Sequence, residues 1–428
     1  MKERIAKSFD LFANRLVKFS QEKGRISWWI FLFILALTLV SITPLPGHSE
    51  LISNRAEICQ RDEPREIRGV WLTNVDSDVL FEAEKTEEAI ALLAKANFNT
   101  LYPTVWNWGY TLYPSKIAEE FTGLALDPTE GLQQRDVLQE VVEQGHKRDM
   151  DVIPWFEFGF MAPADSELAQ RHPEWLTSRQ DGSTIWWEGK VHQRVWLNPL
   201  RPDVQNFMTE LIVEIVSNYD IDGIQLDDHF GYPSELGYDD YTVELYQQEH
   251  AGELPPTNPK DPEWVQWRAD KITDYVETLF HAIKKHNPKA IVSVSPNPQY
   301  FSLNSFLLDW YRWERKGLIE ELIVQIYRDN DRSFVRELAQ PEIQAAREHI
   351  PVGIGILSGL KGREILWHKI YKQVKLARRQ EFAGISFFFY ESLWNLAAES
   401  PAKRQAALKS IFFRQAQRPH VSDCEFQP

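Results

Sequence analysis

Residues 222–230 read Asp-Gly-Ile-Gln-Leu-Asp-Asp-His-Phe. Apolar and polar residues alternate through Ile224, Gln225, Leu226 and Asp227, the pattern of a strand with two different faces. In a closed parallel barrel Ile224 and Leu226 would face the surrounding helices, and Gln225 and Asp227 the axis. Asp227 then stands at the C-terminal mouth, where barrel enzymes keep their chemistry. A carboxyl group walled there by apolar side chains suits an acid, a base or a nucleophile. The structural alternative is a helix cap or an ion pair.

Cutting a glycosidic bond takes two carboxyl groups, one on each side of the scissile linkage. Glu157 ends the strand expected beside that of Asp227 and is the first choice for the acid partner. Glu391, after the last strand, is the second, and Asp228 and Asp329 are further carboxylates near the same end. Aromatic residues gather after the same strands: Trp106, Trp108, Tyr110, Tyr113, Trp155, Tyr232, Tyr327 and Trp394. Trp offers a flat apolar face to the C–H side of a pyranose ring and one N–H donor. Asp228, Gln325 and Tyr327, with Trp106, Trp108, Trp155, Tyr232 and Trp394, are the expected substrate-binding set. Other chemistries find less support. His172, His192 and His229 stand apart in sequence with no metal-ligand spacing, so neither a metal nor a cofactor is expected. Ser295 begins Ser-Pro-Asn-Pro and lacks a nucleophile elbow.

The elements that must position these residues are eight β-like runs alternating with helical patterns: 67–73, 99–105, 151–157, 221–227, 290–295, 322–327, 351–356 and 384–390. Helical stripes run through Val204, Phe207, Met208, Leu211, Ile212 and Ile215, and through Ile272, Tyr275, Val276, Leu279, Phe280 and Ile283. Eight such units imply a (β/α)8 barrel. A doubly wound open sheet would show a glycine-rich turn after the first strand, where Val75-Asp76-Ser77-Asp78 stands instead.

The chain has 428 residues and a net charge of −15, and its excess of positive charge is confined to the first 25 residues. An acidic body argues against a nucleic-acid partner. The run 26–42 carries no charge and starts with Trp28 and Trp29 close behind a basic stretch. It reads as a transmembrane signal anchor with the barrel on the extracytoplasmic side; a cleaved signal peptide and a secreted product are the alternative. The expected layout is a basic cytoplasmic segment (1–25), the anchor (26–42), a linker (43–64), the barrel (65–416) and a tail (417–428). The two cysteines, Cys59 and Cys424, flank the barrel and could form a disulfide outside the cytoplasm or remain free thiols.

From Glu66 to Trp394 the chain resembles glycosyl hydrolase-like family 10, a family of bacterial envelope proteins. The likeness is carried in order by Arg68-Gly69-Val70-Trp71, Phe98-Asn99-Thr100, Leu112-Tyr113-Pro114-Ser115, Trp196-Leu197-Asn198-Pro199, Asn218 to Ile224, Asp227-Asp228, Ser295-Pro296 and Gln325-Ile326-Tyr327. It implies a (β/α)8 barrel acting on envelope glycan, with peptidoglycan glycan strands the leading substrate. The chain shows Glu157-Phe158 and Glu391 where members more often carry Asn-Pro and Lys. The fourth strand also resembles the α-amylase clan's Asp-Gly-x-Arg-x-Asp pattern, whose last Asp is a nucleophile. Gln225 replaces that Arg, and Ser295-Pro296-Asn297 replaces that clan's general-acid Glu after strand five. The expectation is therefore a membrane-anchored glycoside hydrolase with Asp227 as nucleophile or base. The alternative is a non-catalytic glycan-binding barrel that tethers membrane to wall.

Overall fold

The computed structural model describes residues 64–423. The apolar run 26–42, Cys59 and Cys424 lie outside the described residues, and with them the anchor and disulfide expectations. Among the described residues no helix is long and apolar enough to cross a membrane.

Eight parallel strands form one sheet: β1 (Ile67–Leu72), β2 (Thr100–Pro103), β3 (Asp151–Val152, resuming at Trp155–Phe156), β4 (Gly223–Asp227), β5 (Ile291–Ser295), β6 (Glu321–Gln325), β7 (Val352–Leu357) and β8 (Gly384–Phe388). β3 is interrupted at Ile153–Pro154, and its two halves pair with opposite neighbours: Asp151–Val152 with β2, and Trp155–Phe156 with β4. The Ile153 N–H still reaches the Leu101 carbonyl (2.9 Å), and the Gln225 N–H reaches the Pro154 carbonyl (2.8 Å). Pairing of β1 with β8 and of each remaining neighbour completes the circuit, so the sheet closes as an α/β barrel. All eight strands expected from the sequence are present, with ends shifted by a residue or two.

The helices used below are α1 (Ala83–Lys95), α2 (Val137–His146), α3 (Pro202–Asn218) and α4 (Pro262–His286). Both long helices start at a proline in the first turn, where the missing N–H costs nothing. Asp261 caps α4 by accepting from the Glu263 and Trp264 amides, and Lys284, Lys285 and His286 close it at the negative end of its dipole. On α3 the expected stripe Val204, Phe207, Met208, Leu211, Ile212 and Ile215 is fully buried. Each such side chain contributes about 1.5–3 kcal/mol by leaving water, which outweighs differences in helix propensity.

The strands face two ways, as their alternation requires. Ile224 and Leu226 join the layer between sheet and helices. Trp71, Tyr102, Ile153, Trp155 and Ile323 pack with one another inside the barrel. Gly355 makes room for Trp71: a Cβ there would lie 3.3 Å from the indole. A polar chain threads this interior. The Trp71 indole N–H donates to Gln225 (2.7 Å), the Gln225 amide to Ser293 (3.0 Å), and the Ser293 hydroxyl to Glu321 (2.8 Å). At the floor Glu321 also accepts from Tyr102 (3.1 Å) and pairs with Arg418. Arg418 belongs to the segment expected as a tail. Its guanidinium is buried at the N-terminal end of the barrel, 3.6 Å from Asp151.

Two excursions build up the mouth. After β2 a short hairpin pairs Trp106–Asn107 with Tyr110–Thr111. Between β3 and α3 the strands Met161–Pro163, His192–Trp196 and Trp186–Glu188 form an antiparallel arm with His192–Trp196 in the middle.

Candidate active site

Trp155 and Phe156 stand opposite Gln225 and Leu226, so the next step along each strand sets Glu157 beside Asp227. Trp155 and Gln225 both point inward, and by alternation so do the two carboxyl groups. The side chains line one cavity of about 680 Å³ at the barrel mouth, together with Asp228, His229, Gln325, Trp108 and Trp155.

Asp227 is 3% exposed. Its Oδ1 accepts from the Ser295 hydroxyl (2.8 Å) and the Gln325 amide (2.8 Å), and its Oδ2 lies 3.2 Å from His229 Nδ1. Glu157 is 8% exposed, and its Oε2 accepts three hydrogen bonds, from Thr73 (2.8 Å), Thr104 (3.0 Å) and Asn107 (2.9 Å). Among the described residues no donor reaches Oε1, which leaves that oxygen to carry a proton into the cavity. Burial pushes the Glu157 carboxyl up to about 7, further than the threonine hydrogen bonds pull it down, and the neighbouring Asp227 charge adds to the rise. Burial, followed by the Asp228 charge, likewise raises Asp227 to about 7.

His229 ties the Asp227 carboxylate to the backbone of Glu157. Its Nδ1 lies 2.8 Å from the Glu157 carbonyl oxygen and 3.4 Å from Asp228 Oδ1. A carbonyl oxygen only accepts, so Nδ1 carries a proton. Burial works against a charged imidazole here, but Asp228 and Asp227 outweigh it and push the group up to about 10. Asp228 in turn accepts from the Asn297 amide (2.5 Å). Asp227, Asp228 and His229 each offer a ligand atom within 4.8 Å of the others. A cation at Nδ1 would first have to displace the proton shared with the Glu157 carbonyl, so this set is better suited to hydrogen bonding than to ligation.

The other expected residues divide. Trp108 and Trp155 line the cavity, and Tyr327 stacks on Phe388, which also lines it (5.6 Å, 29°). Five expected residues do not line it, and Tyr327, which stands behind Phe388, is the first of them. Trp106 is fully buried, gives its N–H to the Gly159 carbonyl (2.9 Å) and packs on Phe207 of α3. Tyr232 and Trp394 are core residues. Glu391 accepts from Ser77 (3.1 Å) and from Asn395, on the helix that follows β8. Asp329 is exposed and pairs with Arg363. The sequence reading took His229 and His192 as isolated, yet His229 links the Asp227 carboxylate to the Glu157 backbone carbonyl and His192 lines the cavity. It also missed Glu188, Val191 and Arg194 of the arm, whose only signal was the length of the segment between β3 and α3.

A closed α/β barrel with two buried carboxyl groups and flat aromatic side chains at its mouth has the architecture of the barrel glycosidases. The chain belongs to the family described as Glycosyl hydrolase-like 10, whose model matches residues 66–374. It is 26% identical to the glycosyl hydrolase DigH of Escherichia coli K12, over 71% of this chain and 76% of that one. It is 25% identical to the glycosyl hydrolase YngK of Bacillus subtilis, over 54% and 45%. Two solved structures share the fold. The PgaB glycoside hydrolase domain of Bordetella bronchiseptica superposes with a TM-score of 0.54 at 13% identity, covering 79% of this chain and 100% of that one. The catalytic domain of the Paenibacillus polymyxa β-amylase does so at 0.56 and 11%, covering 86% and 100%.

Proposed function

We propose that this chain is a glycoside hydrolase of the bacterial envelope, with Glu157 and Asp227 as its acid/base pair and peptidoglycan glycan strands as its substrate. The observation that carries the chemistry is the side-by-side placement of these two buried carboxyls in one aromatic-lined cavity. Glu157, with Oε1 undonated and its pKa raised by burial, is suited to protonate the leaving oxygen. Asp227 is oriented by Ser295 and Gln325 and faces the proton of His229. That setting favours its ionised form for attack at the anomeric carbon or for activating water. Asp228, Gln325, Tyr327, Trp108 and Trp155 bind or orient the sugar, and no cofactor takes part. The apolar run 26–42, preceded by a basic segment, supports anchoring in the inner membrane with the barrel outside the cytoplasm. The peptidoglycan assignment is supported by what the resemblance to this envelope family implies.

One feature favours a non-catalytic, glycan-binding barrel instead. At the end of β5, next to where the α-amylase clan keeps its acid, stands Ser295, which supports Asp227 rather than facing it across a bond. The test is to incubate the full chain, in detergent, with purified sacculi and with glycan strands stripped of peptide, following soluble fragments by mass spectrometry. Fragments from the parent but not from Asp227→Asn are expected. Retained pull-down binding by both proteins with no fragments from either would replace the enzyme with the tether.

A further inference from the structure

The mouth cavity does not end at Trp108. A second cavity, of about 610 Å³, is lined by Tyr110, Ala164, Glu167, Ile185 and Gln193. The two share Trp108, Val191, His192 and Arg194, so they adjoin along one cleft with the Trp108 side chain between them. Trp108 is held there at a cost. It sits at the tip of the Trp106–Thr111 hairpin with φ +59°, a left-handed backbone that a bulky side chain seldom adopts. Such strain persists where the surroundings fix it, and it gathers at ligand sites. The fixing contacts are specific. The Trp108 N–H donates to Asn107 Oδ1 (2.9 Å), the ring stacks on Phe158 (6.1 Å, 14°), and the Arg194 guanidinium lies 5.3 Å from the ring centre. The ring is nevertheless 36% exposed. Asn107 also donates to Glu157 Oε2 (2.9 Å), so one side chain sets both the aromatic ring and the acid.

We propose that the second cavity is a further sugar subsite, taking a neutral pyranose of the same chain whose neighbouring sugar occupies the Asp227 cavity, with the Trp108 ring as the platform between them. The nature of the ligand rests on the glycosidase reading. The charge of the lining sets the class of sugar. The Arg194 Nε is 2.8 Å from Glu188, so its charge is already matched. Glu167 accepts from the Tyr110 hydroxyl, and Asp165 adds an exposed carboxylate. The balance is negative, which repels an acidic sugar and admits a neutral one. In a strand that alternates neutral and acid-bearing amino sugars, this subsite holds the neutral member and so sets the cleavage register.

The test is titration calorimetry on the full chain in detergent carrying Asp227→Asn to block turnover, with N-acetylglucosamine oligomers as the probe. The hexasaccharide is expected to bind about tenfold or more tighter than the trisaccharide. Trp108→Ala should remove that gain. Ala164→Trp, which fills the second cavity away from the carboxyl pair, should remove it too while the trisaccharide binds as before; circular dichroism confirms that each variant is folded. Equal affinity for short and long oligomers, or a gain that survives Ala164→Trp, overturns the subsite alone. No binding of any oligomer overturns the subsite together with the glycan reading.

Discussion

At the residue scale, the site rests on two carboxyls whose pKa burial raises to about 7. Glu157 keeps its proton up to about 7 in the folded chain, against 4.5 as its ordinary value. Between those values the unfolded chain has already lost the proton, so it binds fewer protons than the native state and stability falls as pH rises. Glu157→Gln removes the ionisable group while keeping its shape. The variant should be the more stable protein above pH 7, by about 3 kcal/mol at most, and the advantage should vanish below about pH 4.5; thermal unfolding across that range measures it. An unchanged melting temperature at every pH would mean that the carboxyl is not buried as described. Asp227 was legible in the sequence because strand alternation alone decides which way it points. His229 was not, since its partner is the backbone carbonyl of Glu157, a contact between neighbouring loops that no local pattern encodes. Trp106, Tyr232 and Trp394 lie just beyond strand ends, as cleft residues do. Their loops turn them back into the core, and proximity to a strand end does not distinguish the two outcomes.

At the element scale, the barrel was readable because each strand is a short β-rich run and each long helix carries an apolar stripe. Strand ends were less so: β3 breaks at Pro154, which has no N–H to donate, yet it holds both neighbours by alternating partners. The arm between β3 and α3 escaped notice because its strands are only three to five residues long. Inside the barrel, space is allotted residue by residue. A Cβ on Gly69 would lie 2.3 Å from the Ser386 hydroxyl and 2.6 Å from the Tyr102 ring. Gly69→Ala should therefore destabilise the protein by about 1–3 kcal/mol through overpacking. Denaturant titration would show a lower midpoint with an unchanged slope, whereas a midpoint equal to the parent's would mean that the interior has slack.

At the scale of the whole molecule, the two ends of the described chain meet at the barrel floor. The Glu66 N–H donates to the Gln417 carbonyl (2.9 Å), and one residue on, Arg418 enters the floor to neutralise Glu321, whose side chain is 1% exposed. Removing one partner of a buried pair strands the other charge, at about 3–5 kcal/mol. Arg418→Met should cost that much in chemical denaturation, and adding Glu321→Gln should recover a large part of it. If the double variant is no better than the single, Arg418 acts by packing and not by charge. The acidic body and the basic first 25 residues belong to this scale as well. They orient the proposed anchor but say nothing about the bond cut, which only the mouth of the barrel decides.

The central claim is that Glu157 and Asp227 work as one unit. The most direct measurement is the rate of fragment release from peptide-stripped glycan strands by Glu157→Gln, Asp227→Asn and the double variant, with circular dichroism confirming the fold of each. Each single change is predicted to slow release by about a thousandfold or more, and the double variant to be scarcely slower than the worse single one, because groups that act together are not additive. A folded single variant that releases fragments at close to the parental rate would contradict the account.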